Sequence, residues 1–275
     1  MFKKLALLAA ILIFGLIPAN AINIFNSDIQ VEKDGGIYIF KVPLKKFAKK
    51  IKPYVTDELT TVSDVYKNNP DFRLVVNGGY FDPQNGAPVS NVIINGKKEE
   101  DIFDNLPLVR SLQKADRLEM VLNRAELRIL EDTKNNLSFD IVNHFYIPDN
   151  EHTIKHSIQA GPMILPDLRL EEESFVIYNG GKSTQLAGDV LKRRERTILG
   201  LKKGAFGYGD LYIIIFTSDN KATLLEARDY TEKLKLDKAL NMDGGASTSI
   251  NYGGIEIYSN AGAQRRVKSF IVIEK

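Results

Sequence analysis

Leu211-Tyr212-Ile213-Ile214-Ile215-Phe216 is an unbroken run of large apolar side chains. Its short length and β-branched content suit a strand better than a helix. Alternate residues of a strand point to opposite faces, so a run without polar interruption needs cover on both. The segment therefore reads as a central strand inside a sheet packed on both sides.

Working outward, further strand-like stretches precede it at Ile37–Val42, Arg73–Val76, Val92–Ile94, Leu118–Leu122, Leu127–Leu130, Ser157–Gln159 and Thr197–Leu201. Others follow at Ile255–Tyr258 and Lys268–Ile273. Helices are fewer. Thr61-Val62-Ser63-Asp64 fits a capping box, and Asn68-Asn69-Pro70 ends that helix after about two turns. Thr223-Leu224-Leu225-Glu226 is a second box, opening a helix that places Leu224, Ala227, Thr231 and Leu234 on one stripe and ends near Leu236. A third helix is expected over Leu44–Lys52, whose five lysines read as a solvated face because Phe47 alone interleaves, too little to stack on nucleic acid. The pattern is α+β: a single domain with a mixed, mainly antiparallel β-sheet core and a few flanking helices.

The composition agrees. Across 275 residues, 44% are hydrophobic and 26% charged, which excludes a disordered tail, a collagen-like repeat and a polytopic membrane protein. Cysteine is absent, and with it disulfide scaffolds, thiol catalysis and cysteine-ligated zinc. At the N-terminus, Lys3 and Lys4 precede the apolar run Leu5–Ile17, then Pro18 and Ala19-Asn20-Ala21. A positive start, an apolar run too short to span a bilayer and a small-x-small site describe a signal peptide over residues 1–21. Cleavage would leave residues 22–275 with 35 basic and 35 acidic side chains. A chain so balanced is no polyanion binder by bulk charge, so no nucleic-acid partner is expected, nor a membrane span once the leader is removed.

Two glycine-rich segments mix amide and carboxylate side chains: Asn77-Gly78-Gly79-Tyr80-Phe81-Asp82, after the strand Leu74-Val75-Val76, and Asn241-Met242-Asp243-Gly244-Gly245-Ala246-Ser247-Thr248-Ser249, after the second capped helix. Paired glycines permit positive φ and close approach, so their N–H groups can converge on an anion. The competing reading is a pair of tight turns. Between them, Arg193-Arg194-Glu195-Arg196 leads into a strand, where an arginine can offer its fork to a phosphate or carboxylate. In Ser157-Ile158-Gln159-Ala160-Gly161-Pro162, Gln159 is a further polar candidate. No phosphate-binding P-loop or nucleophile elbow occurs, and His152 and His156, four apart, lack the glutamate of a metalloprotease helix.

Four blocks in order, Val75-Val76-Asn77-Gly78-Gly79-Tyr80-Phe81-Asp82, Gln159-Ala160-Gly161-Pro162, Arg196-Thr197-Ile198-Leu199-Gly200 and Leu240-Asn241-Met242-Asp243-Gly244-Gly245-Ala246-Ser247, resemble the phosphodiester glycosidase family. The family more often has Phe where Tyr80 stands and Gly where Ala246 stands. The resemblance implies hydrolysis of a sugar-1-phosphodiester, N-acetylglucosamine-1-phosphodiester-like, on the glycosidic side, with exported glycans or envelope polymers as substrates. On it rests the expectation that Asp243 is the leading catalytic carboxylate, with Asp82 as the second, their separation deciding between retention and inversion. Arg196 with the Gly244 and Gly245 amides would hold the phosphate. Asn77, Gly78, Gly79, Gln159, Gly161, Ser247 and Thr248 would bind the sugar or the phosphate. No cofactor is required, although Asn and Asp side chains with phosphate oxygens would suit Mg²⁺ or Ca²⁺. Two other readings stay open on these residues: a non-catalytic phosphoglycan-binding module, and a phosphodiesterase that cuts the P–O bond.

Overall fold

The computed structural model of the protein describes residues 29–187, 189–205, 207–259 and 263–275, so the expected signal peptide lies outside the described residues. From the N-terminus run β1 (Gln30–Asp34), β2 (Ile37–Pro43), α1 (Leu44–Phe47), β3 (Ile51–Thr60), α2 (Val62–Asn68) and β4 (Phe72–Asn77). Next come β5 (Val92–Ile94), β6 (Lys97–Glu100), α3 (Leu106–Lys114), α4 (Leu118–Leu122), β7 (Ala125–Asp132), β8 (Leu137–Asn143), β9 (His152–Gln159) and β10 (Met163–Leu165). The hairpin β11 (Val176–Asn179) and β12 (Lys182–Gln185) precedes β13 (Arg196–Gly204) and β14 (Gly207–Phe216). The chain closes with α5 (Leu224–Lys233), β15 (Lys238–Asn241), β16 (Ser249–Tyr252), β17 (Ile255–Tyr258) and β18 (Val267–Glu274).

Three larger sheets form, ordered β1-β2-β14-β13-β15-β10, β17-β16-β4-β18-β3 and β6-β5-β9-β7-β8. Among the described residues their pairings are antiparallel throughout. β14 lies inside the six-stranded sheet, as its apolar run requires. Leu211, Ile213 and Ile215 enter a central core shared with Leu74 and Ile271 of the second sheet and Leu127 and Ile158 of the third. Tyr212, Ile214 and Phe216 enter a separate core on the opposite face, against Leu224 and Ala227 of α5. A core drawn from all three sheets makes the fold one unit, α+β with few helices.

Both capped helices form. Thr61 Oγ1 accepts the Asp64 N–H at 3.0 Å to start α2. Thr223 and Glu226 make the full reciprocal box of α5, which ends at Lys233, short of the expected Leu236. Two expectations are corrected. Leu118–Leu122 is helix, not strand: Leu118, Val121 and Leu122 lie at helical spacing and pack on Ile102 and Leu112. The helix expected over Leu44–Lys52 is one α-turn plus a 3₁₀ turn at Ala48–Lys50 before β3 begins at Ile51. Like charges four apart, Lys45 with Lys49 and Lys46 with Lys50, oppose a longer helix. Two of the lysines instead tie the chain to its C-terminus, Lys52 to Glu274 at 2.6 Å and Lys50 to the Lys275 carbonyl. No helix of the described residues is long and apolar enough to cross a membrane.

Candidate active site

The start of β13, the end of β15 and the end of β4 meet at one edge of the layered sheets. The turn after β15 is stitched to both neighbours. Met242 N–H donates to the Thr197 carbonyl (2.9 Å), Asp243 N–H to Gly78 (3.1 Å) and Gly245 N–H to Glu195 (2.8 Å). Only Gly245 of the Asp-Gly-Gly turn has positive φ, +58°. These bonds set the turn as one wall of a cleft of about 660 Å³, whose lining includes Tyr80, Asp189, Glu195, Arg196, Asp243 and Arg265.

Asp243 is partly exposed to this cleft, and its Oδ1 accepts the Gly244 N–H at 2.9 Å. Burial pushes its carboxyl up to about 6, against the opposing hydrogen bonds from Ser247 and Gly244 and the positive charge of Arg265. Arg196 is only 4% exposed. Its Nε donates to the Ala222 carbonyl (3.0 Å) and its Nη2 to those of Asp189 (2.7 Å) and Lys192 (2.8 Å). Carbonyls carry no full charge, so the guanidinium keeps its positive charge unneutralised, and Nη1 takes no part in these bonds. Burial lowers its pKa, but no carboxylate is paired with it in a salt bridge among the described residues.

The other charges of the cleft pair off. Arg194 holds Asp189 at 2.7 Å, and Lys221 holds Glu195 at 3.3 Å. Burial alone would raise Asp189, but hydrogen bonds from Arg194, Gln185 and Lys192 hold it down at about 2. The cleft therefore presents one carboxyl raised to about 6 beside two arginines, Arg196 and Arg265, for which no salt bridge forms among the described residues. Such a set fits an anion bearing an electrophilic carbon.

The structure brings Asp243, Arg196, Gly244 and Gly245 together in the cleft wall, with Ser247 donating to Asp243 from behind. It does not bring Asp82 there. The Asp82 carboxylate accepts the Gln84 N–H at 2.9 Å and its backbone closes a turn with Gly86 and Ala87. Several expected binding groups are engaged in hydrogen bonds within the fold. The Gly244 and Gly245 N–H groups serve Asp243 and Glu195, so neither is free for a phosphate. Gly78 and Gly79 donate to the Ser269 carbonyl and hydroxyl, not to a ligand. Asn77 is fully buried: its Oδ1 accepts from Thr197 Oγ1 and Ser249 N–H, while Nδ2 donates to the Asp243 carbonyl at 2.7 Å. Gln159, also fully buried, joins the carbonyls of Leu122 and Arg124 to the Asn91 N–H. Thr248 is buried outside the lining, and Gly161 is engaged within the fold, its carbonyl accepting from Tyr80 and Asn241 and its N–H donating to the Asn241 carbonyl at 2.9 Å.

Tyr80 is the functional candidate that motif reading passed over. Its hydroxyl donates to the Gly161 carbonyl (2.7 Å) and accepts from Asn241 Nδ2 (2.8 Å), holding the ring at the cleft wall. Burial, then the negative charge of Asp243, raises its pKa, so it stays a neutral donor. Glu195, Lys221 and Arg265 also emerge only from the fold, because each reaches the cleft from a different part of the chain. His152 and His156 lie on β9, where His156 accepts the Asn95 N–H, and among the described residues no group of His, Asp or Glu side chains gathers as a metal site.

Residues 71–274 match the sequence profile of phosphodiester glycosidases. The fold is similar to the catalytic domain of zebrafish N-acetylglucosamine-1-phosphodiester α-N-acetylglucosaminidase, auto-inhibited by its pro-peptide, with a TM-score of 0.61 and 18% identity over 90% of this chain and 81% of that one. It is also similar to a hypothetical protein from Synechocystis (TM-score 0.59, 12% identity, 90% of this chain) and to a candidate exported protein from Burkholderia pseudomallei (0.57, 12%, 87% of this chain and 74% of that one). The chain spans 61% of the Synechocystis protein. Among curated proteins, none matches it by sequence.

Proposed function

The chain belongs to the phosphodiester glycosidase family, and we propose that it hydrolyses the glycosidic bond of an exported sugar-1-phosphodiester, with Asp243 and Arg196 at the reacting centre. The observation that carries this reading is a cleft carboxyl raised to about 6 that shares its cleft with Arg265, whose charge acts on it, and with Arg196, whose guanidinium is bound by backbone carbonyls and by no carboxylate among the described residues.

With the sugar C1 against Asp243 and the phosphate against Arg196 and Arg265, the C1–O bond breaks and its electron pair stays on the phosphate. A phosphate leaving group is weakly basic, so it needs charge stabilisation more than a proton, and the two arginines supply it. One carboxylate then suffices. Asp243 either takes the proton of the attacking water, or attacks C1 to form a glycosyl ester that water then cleaves to free the sugar, and a pKa near 6 suits a group that must be ionised at neutral pH yet still basic. Tyr80 and Ser247 fix the geometry around that carboxylate.

Export rests on the signal-like residues 1–21, and the substrate class on the N-acetylglucosamine-1-phosphodiester named for the zebrafish relative. The test is a product assay on residues 22–275 with α-sugar-1-phosphodiesters, with and without Mg²⁺ or Ca²⁺, read by phosphorus NMR. A phosphomonoester with free sugar is expected. Sugar-1-phosphate would move the cut to the P–O bond, and saturable binding without product would make the cleft a binding module.

A further inference from the structure

A second hollow of about 370 Å³ adjoins the cleft, and Val190 lines both. The bonds described above trace a path to it. Arg196 donates to the Asp189 carbonyl at 2.7 Å, and the next residue is the shared Val190. Beyond Val190 the groove wall is mixed: Leu168, Leu170, Tyr178, Leu191 and Leu225 form its apolar part, and charged side chains line the rest. Three of these are large side chains left open to solvent: Tyr178 at 49%, Leu191 at 39% and Leu225 at 54%. Leu225 lies off the buried stripe of α5, where a polar residue would cost nothing. Exposed apolar side chains collected in one hollow mark a binding surface more than scattered ones do.

We infer that this groove is the subsite for an aliphatic chain esterified to the substrate phosphate, so that the preferred substrate is an amphiphilic sugar-1-phosphodiester. The inference rests on the proposed glycosidase reading, in which the sugar lies at Asp243 and the phosphate at Arg196. The group on the far side of the phosphate then leaves the cleft past Asp189 and Val190. Glu171 and Glu172 in the same groove wall, with Arg228 of its lining already paired to Asp229 and Glu232, disfavour a polyanionic continuation of a glycan there and leave an uncharged chain as the fitting occupant.

The test compares methyl and octyl esters of α-N-acetylglucosamine-1-phosphate on the full mature chain and on a Leu191→Ser/Leu225→Ser variant, which alters only solvent-open side chains. Each methylene taken from water is worth roughly a four-fold gain, so even partial burial of octyl should raise kcat/KM at least about ten-fold over methyl. The variant should lose that preference and keep its methyl rate. Equal kcat/KM for the two esters in the wild type overturns the inference. If neither ester is hydrolysed, the glycosidase reading fails, and calorimetric affinities of the same two esters decide the groove. There, tighter octyl binding that the variant loses sustains the subsite, while equal affinities overturn it. A wild-type dimer that the variant dissociates, with the octyl preference intact, would assign the groove to a second copy of the chain and likewise overturn the inference.

Discussion

Asn77-Gly78-Gly79 and Asp243-Gly244-Gly245 carry matching residue types at the ends of strands in two different sheets, yet they do different work. In the first, the glycines are there because nothing larger fits. A Cβ on Gly78 would stand 2.6 Å from Ser269 Oγ, and one on Gly79 2.3 Å from the Gln159 carbonyl oxygen. In the second, a Cβ on Gly245 would meet nothing, and the residue is needed for its φ of +58°. The first segment is a weld between sheets. The second is the weld's free edge, turned so that Asp243 faces the cleft while its backbone N–H is held by Gly78. Glycine pairs of one composition can thus serve close packing or a turn, and the neighbouring backbone decides which.

The largest expected effect separates the two segments by chemistry. Asp243→Asn should lower kcat/KM by at least about 10³-fold with the fold intact, checked by steady-state kinetics and circular dichroism. Wild-type activity should rise with pH and level off above about 6, where the carboxylate is ionised. Stability should move the other way. A carboxyl raised from 3.8 to about 6 by folding stabilises the native state only while protonated, and that contribution fades as pH rises through 6. Thermal melts of Asp243→Asn should therefore match wild type near pH 4 and exceed it above pH 6, by on the order of 1 kcal/mol for a group partly open to solvent. A near-normal kcat/KM in the variant would take Asp243 out of the mechanism.

Next in size is the packing side of the contrast. Gly79→Ala forces a methyl against backbone and should cost about 3 kcal/mol. Gly245→Ala adds only left-handed strain, about 1 kcal/mol, and should leave a folded protein. Denaturant midpoints measure both. Equal costs would mean that the two pairs are structurally equivalent after all.

Much of the frame was legible because its signals are local. The Leu211–Phe216 run fixes a strand buried on both faces, and Thr61 and Thr223 announce helix starts through bonds to residues three positions on. Leu118–Leu122 misled because so short a stretch, apolar but for Glu119, satisfies both periods, and only its contact with Ile102 and Leu112 makes it helical. In the site, Asp243 and Arg196 stood out as charges beside glycines or a strand start. Asn77 and Gln159 carry the same donors and acceptors as ligand readers, but the fold spends them on its own backbone, a difference that residue type does not encode. Lys221 and Arg265 belong to no motif, Glu195 sits unassigned inside the arginine cluster, and what makes them neighbours is the convergence of separate segments on one cleft.

The smallest expected effect concerns Asp82, which the resemblance places second to Asp243 as a catalytic carboxylate. Asp82 is absent from the cleft lining, and its carboxylate is occupied in a turn, accepting the Gln84 N–H at 2.9 Å. Asparagine closes the same turn with its side-chain carbonyl, so Asp82→Asn should keep kcat/KM within about two-fold and stability within about 0.5 kcal/mol. The pH–activity curve should not move either, because the limb near 6 belongs to Asp243. A loss approaching that of Asp243→Asn would return Asp82 to the role of second carboxylate. It would also require the turn at Asp82–Ala87 to swing toward the cleft during turnover, and the first glycine segment would then be part of the catalytic machinery rather than its support.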